Sequence, residues 1–142
     1  MTATGEALAP GAARGMTLVL DEPISFWGGV DETTGRVTDT HHPQSGASVV
    51  GAILVVRCGR GSSSSSSVLA ECLRNGIGPA AIVLAEPDPI LALGALVASE
   101  LYGTEIPVVV LPADAYAACA RAREVTVEVD HRSRRAVVTM IR

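Results

Sequence analysis

Three short apolar runs, Val49–Val56, Ala80–Leu84 and Ile106–Leu111, recur along the middle of the chain, with segments of helical character between them. Runs of Val, Ile and Leu without polar alternation read as strands buried on both faces. In the first gap Val68, Leu69, Cys72 and Leu73 fall at helical spacing, and Asn75-Gly76 supplies a stop. In the second gap Asp88-Pro89 reads as an N-cap followed by proline at the first helical position. The helix it opens puts Ile90, Leu93, Leu96, Val97 and Leu101 on one face; Ala92, Gly94, Ala95 and Ala98 would let it approach a sheet closely, and Gly103 ends it. Strand, helix, strand, helix, strand predicts an α/β fold, with a parallel sheet and crossover helices at its centre.

The flanks add strands of another kind. Met16–Leu20 is a first strand ended by Asp-Glu-Pro, and Asp114 is expected to cap a short Ala-rich helix running to about Arg123. Val125–Val129 and Ala136–Ile141 read as an antiparallel hairpin with its tip at DHRSRR, where His131 and its neighbouring arginines would be solvated. These outer strands are expected to be antiparallel or barrel-closing. Residues 1–13, rich in Ala, Gly, Thr and Pro, read as a flexible arm, which leaves 14–142 as one domain.

Composition narrows the chemistry. With one Trp, one Phe and two Tyr in 142 residues, the core must be built from Val, Ile, Leu and Ala. A net charge of −4 argues against a nucleic-acid partner. All eleven basic residues are Arg, which excludes a Schiff base, a pyridoxal-phosphate anchor and a Walker-type lysine. Three widely spaced cysteines, Cys58, Cys72 and Cys119, form no C-x-x-C pair and fit a reduced, cytoplasmic setting. The first residues lack the pattern of a signal peptide, and no run is long enough to span a bilayer.

Two segments are candidates for function. Ser25–Gly46 is long, irregular and rich in turn formers, with Thr34-Gly35 as a hairpin tip. It holds Trp27, Gly28, Gly29, His41 and His42; Asp31 and Asp39 are expected to organise turns there. The other is RGSSSSSSVLAE, Arg60–Glu71, in which six serines lie between two core-like stretches. A flexible linker has no place between a strand and its crossover helix, so this run is a strand-to-helix turn. A turn at the carboxyl end of a parallel strand is a standard ligand position. The G-x-G before the serines frees the backbone to approach a ligand, and unpaired N–H groups at the helix start favour an anion. For Ser62, helix capping and function stay equally open on these grounds; Ser65 to Ser67 read as surface filler.

EPISFWGGVDETTGRVTDTHHPQSG, then GRGSSSSSSVLAE and AAIVLAEPDPILALGALVASELYG, resemble the small subunit of the aconitase X family from about Met16 to Pro112. The resemblance implies a swivelling β/β/α domain like that of aconitase, in agreement with the strand–helix alternation. It also implies a dehydratase whose larger partner subunit holds an iron–sulfur cluster, with the active site between the two chains and none of the cluster bound by this one. The family's substrates are small hydroxy acids, cis-3-hydroxy-L-proline or mevalonate 5-phosphate; the all-Arg, Ala-rich composition favours the first. Aconitase-like swivel domains carry their base in a G-x-G-S-S-R-E-H stretch. Gly59-Arg60-Gly61-Ser62-Ser63 matches its start, which makes Ser62 the candidate base and Gly61, Ser63 and Ser64 candidate substrate contacts. Trp27, Gly28, Gly29 and His42 are further candidates. Ser64, Ser65 and Ser66 replace the Arg, Glu and His of that stretch, so any assisting arginine must come from elsewhere. Two alternatives of other classes stay open: a phosphohistidine-type swivelling carrier and a non-catalytic interaction module.

Overall fold

In a computed structural model the strands close into a seven-stranded barrel in the order β1-β5-β4-β3-β2-β6-β7, with β7 returning to β1. The structure describes residues 1–130 and 132–142, so His131 lies outside the described residues. The central strands are β2 (Ala12–Leu20), β3 (Ile53–Val56), β4 (Ala81–Leu84) and β5 (Val108–Val110), and they pair in parallel. β1 (Thr2–Ala9), β6 (Glu124–Asp130) and β7 (Arg135–Ile141) close the barrel through antiparallel pairs. The helices are α2 (Ser65–Arg74), α3 (Pro89–Tyr102) and α4 (Ala113–Arg121); α1 (Phe26–Gly29) is a single turn whose Trp27 and Gly28 leave helical backbone. No described helix is long and apolar enough to cross a membrane.

The alternation of side chains along the central strands divides the core in two. Ile53, Val55, Ala81, Val83, Val109 and Leu111 pack with Val125, Val127, Val138 and α4. Leu54, Val56, Ile82, Leu84 and Val108 face the other way, against α2, α3 and the loop residues Ile24, Phe26, Val30 and Val37. Both faces of β3 and β4 are therefore buried, as their uninterrupted apolar runs require. Of the two faces of α3, the small one is buried: Leu91, Ala92, Gly94, Ala95 and Ala98 pack inward, while Leu93, Leu96 and Leu101 are exposed. Close approach is the reason. A Cβ at Gly94 would stand 2.8 Å from the Ser66 carbonyl oxygen of α2.

Three expectations from the sequence are corrected. Residues 1–13 are not a flexible arm: Thr2–Ala9 form β1 and Ala12 already belongs to β2. The small residues that suggest a loose arm serve a tight seam, where a Cβ at Gly5 would meet the Val110 carbonyl oxygen at 2.3 Å. Val49–Ala52 precede the third strand rather than belong to it. Asp114 is not the cap of α4; Pro112 holds that position and Asp114 lies in the first turn, where a carboxylate still complements the helix dipole.

Candidate functional site

The carboxyl end of β3 runs into Arg57, Cys58 and then the turn Gly59–Ser64, after which α2 begins. Two long-range contacts fix this turn. Gly59 bridges Ile24 in parallel, and the Arg60 N–H donates to the Ile24 carbonyl at 2.9 Å. From the opposite side Asp88, the N-cap of α3, accepts the Gly59 N–H on Oδ2 at 2.6 Å. Its Oδ1 accepts from Ile90 and Leu91 at 3.0 and 3.1 Å. One buried carboxylate thus caps α3 and pins the turn, and a Cβ at position 59 would stand 2.6 Å from Asp88 Oδ2 and displace it.

A small cleft of about 10 Å³, room for about one water molecule, opens to solvent at this point. The turn contributes Gly59, Arg60, Gly61 and Ser62 to its wall; Ser65 of α2, Ile24 and the start of α3 complete it. Ser62 is half-buried. Its N–H donates to the Arg60 carbonyl at 2.9 Å, its carbonyl accepts the Ser65 N–H at 3.0 Å, and its Oγ accepts the Ser64 N–H at 3.3 Å. Gly61 takes a φ of +45°, the left-handed region that glycine permits. Neither the Gly61 nor the Ser63 N–H donates to another described residue. A hydroxyl with a fixed backbone, unspent amides and a helix start beside it can accept a proton or hold an anion.

The six serines are not equivalent. Ser63, Ser64 and Ser67 are exposed, and Ser63 and Ser64 adjoin the cavity without lining it. Ser65, expected to be surface filler, is only 4% exposed. Its Oγ lies 2.9 Å from Ser25 Oγ and accepts the Trp27 N–H at 3.2 Å, which ties α1 to the start of α2. No local signal in the sequence marks this pair, because its partners are 40 and 38 residues apart.

The other candidates fall outside the cavity wall. Trp27 is 61% exposed beside the turn, whereas Gly28 and Gly29 are held to Thr38, whose Oγ1 and N–H they accept. His42 does not present a ring nitrogen for substrate. It is 5% exposed, Nε2 meets the Glu22 carbonyl at 2.9 Å and Nδ1 accepts the Gln44 N–H at 3.0 Å. It is a loop-fixing histidine. Asp31 and Asp39 hold turns as expected, accepting the N–H groups of Thr33 and His41, and the Thr33 bonds keep the Asp31 carboxyl below its ordinary pKa.

No three His, Cys, Asp or Glu side chains among the described residues gather to hold a metal. Cys72 and Cys119 are fully buried in apolar surroundings, which pushes their thiols up to about 11, and burial followed by the nearby Glu86 also raises Cys58. Among the described residues no set of donors is gathered that would fit an iron–sulfur cluster.

The family model of the aconitase X swivel domain matches residues 2–138. The chain belongs to the aconitase X swivel-domain family. The barrel with its crossover helices is accordingly the swivel fold. A chain in the crystal structure of Thermococcus kodakaraensis aconitase X, holo-form, superposes with a TM-score of 0.78 at 31% identity, over 98% of each chain. Among curated relatives, a cis-3-hydroxy-L-proline dehydratase of Pseudomonas aeruginosa is 50% identical over 104 residues, which are 73% of this chain. This swivel domain spans only 18% of that relative's length. A phosphomevalonate dehydratase small subunit of Methanothermobacter thermautotrophicus is 44% identical over 64% of this chain and 70% of its own.

Proposed function

We propose that this swivel domain is the small subunit of a two-chain hydro-lyase that dehydrates cis-3-hydroxy-L-proline, with Ser62 as the base. The observation that carries this reading is the position of Ser62 in the cavity wall, at the carboxyl end of a parallel strand and immediately before a helix start. Identities of 50% and 45% to two cis-3-hydroxy-L-proline dehydratases support the substrate. The cavity is open, as half of a site closed by another chain would be, and a larger partner subunit supplies the rest. An iron–sulfur cluster would be held by that partner. Three free cysteines suit a reducing cytoplasm.

In the proposed reaction Ser62 Oγ takes the proton on the carbon bearing the carboxylate. The electron pair left behind forms the C=C bond as the C–O bond to the neighbouring hydroxyl breaks. The departing hydroxide is protonated to water, and the proton gained by Ser62 Oγ is released in turn, so that the base is restored. The enamine product tautomerises to pyrroline-2-carboxylate. A serine is a weak base, so the Ser64 N–H on its Oγ and the dipole at the start of α2 must favour the negative oxygen in a closed cleft.

The second reading is a mevalonate 5-phosphate dehydratase. It is favoured by size, since the small subunit from Methanothermobacter thermautotrophicus is a separate chain of comparable length. Co-expression with the larger subunit and assay on both substrates separates the two. Pyrroline-2-carboxylate from hydroxyproline supports the first reading, and turnover of mevalonate 5-phosphate alone replaces it with the second. Ser62→Ala should abolish turnover while the complex still assembles; near-wild-type turnover would remove Ser62 from the mechanism.

A further inference from the structure

Arg60 stands between the two glycines of the turn and lines the same cavity as Ser62. Its backbone is held on both sides, by the Ile24 carbonyl and by the Ser62 N–H. Its side chain is exposed, and among the described residues it has neither an ion-pair nor a hydrogen-bond partner, unlike Arg14, Arg57 and Arg74. Two acids beside the turn are already committed. Asp88 spends both oxygens on backbone N–H groups, and Glu86 pairs with Arg57 at 3.2 Å. A guanidinium without a partner on a pinned backbone, next to the unspent N–H of Gly61, is a receptor for a planar anion.

We propose that Arg60 binds the substrate carboxylate, with the Gly61 N–H completing the contact. The proposal rests on the reading above that this cavity faces the active site. Hydroxyproline and phosphomevalonate are both carboxylates with a hydroxyl two carbons from the carboxyl carbon or further, so one anion receptor serves either. The proton to be removed sits on the carbon bonded to the carboxylate. Arg60 and Ser62 are two residues apart in one turn, so the same segment anchors the carboxylate and reaches the adjacent C–H bond. Part of substrate recognition therefore lies on the small subunit.

The test uses the assembled two-chain complex and two ligands, pyrrole-2-carboxylate and its neutral amide. Arg60→Gln should weaken carboxylate binding by roughly 10–100-fold, the range of a lost charge-assisted contact. It should leave the amide within about 2-fold, and Arg60→Lys should recover part of the loss. The KM for substrate should rise with the dissociation constant while kcat changes little. Wild-type affinity of Arg60→Gln for the carboxylate, equal losses for acid and amide, or a fall in kcat alone would each overturn the assignment. So would weaker association of the subunits, which would make Arg60 a contact to the partner. A complex that binds the carboxylate through Arg60 yet turns over neither substrate would sink the dehydratase reading and keep this one. A wild-type complex that binds no carboxylate overturns both.

Discussion

Asp88 Oδ2 accepts the Gly59 N–H at 2.6 Å, and through this bond the start of α3 holds the turn that presents Ser62. The same carboxylate receives two N–H groups of its own helix, so three donors depend on one buried side chain. Asp88→Ala removes a helix cap and leaves a half-buried donor at Gly59, which should cost about 2–4 kcal/mol. Asp88→Asn keeps one carbonyl oxygen for α3 but turns an NH₂ group toward Gly59 or toward the helix amides, and should lose less. Urea denaturation gives both values, and an Ala variant as stable as wild type would show that the turn does not depend on this carboxylate.

The serine run contains its own control set. Ser65→Ala removes the hydroxyl that meets Ser25 Oγ and the Trp27 N–H. The expected loss is about 1–3 kcal/mol, as for a buried donor left unpaired. Ser63→Ala and Ser67→Ala remove exposed side chains and should stay within about 0.5 kcal/mol of wild type. Trp27 is the only tryptophan, so its fluorescence reports on this loop directly. The emission should shift in Ser65→Ala and not in the other two.

Gly94 should resist even the smallest substitution. Alanine is the better helix former by about 1 kcal/mol, so an unhindered Gly94→Ala would stabilise α3. Here the new methyl would stand 2.8 Å from the Ser66 carbonyl oxygen and 3.0 Å from Leu69 Cδ2. The backbone of α2 must then move, and overpacking of this kind costs about 1–3 kcal/mol. A measured gain in stability would show that the two helices can separate freely.

What could be read in the sequence follows from how local each signal is. The apolar runs of β3, β4 and β5 and the stops at Asn75-Gly76 and Gly103 act within a few residues, and the structure keeps them: Gly76 and Gly103 take φ of 72° and 68°. β1 was illegible because its partners β5 and β7 lie a hundred or so residues away and its small residues serve their backbones. The site divides in the same way. The G-x-G and the turn are local, whereas the Ser25–Ser65 contact and the Asp88–Gly59 bond join segments that only the closed barrel brings together. Arg60 is visible in the turn, but its lack of a partner depends on side chains that only the fold brings near it.

The thiols set an alkaline limit. Burial raises Cys72 and Cys119 from 9.0 to about 11, so on raising the pH the unfolded chain loses these protons before the native one. The unfolded state then binds fewer protons, and stability falls with pH above about 9, by up to about 1.4 kcal/mol per unit for each thiol. Below about 8 neither thiol contributes a slope. Tyr116, raised by burial from 10.0, acts in the same direction only at still higher pH. Denaturation between pH 8 and about 10 should show the decline in wild type and a flatter profile in a Cys72→Ala/Cys119→Ala double variant. Half-buried Cys58 should react first with a thiol reagent, and the other two only on unfolding.

Deleting residues 1–9 tests whether β1 is structural. The strand pairs with β5 through Glu6, Ala7 and Ala9, and with β7 from Thr2 to Glu6. Its removal opens the barrel along two ladders at once and uncovers Leu111 and Val138, which are buried in the intact chain. Exposed strand edges beside apolar surface favour aggregation over a native-like monomer. The truncated chain should therefore lose cooperative unfolding and bind a hydrophobic dye, while deletion of Met1 alone should leave the transition nearly unchanged. If the nine-residue deletion melts like wild type, the segment is a loose arm in solution and the seam at Gly5 is not needed for the barrel.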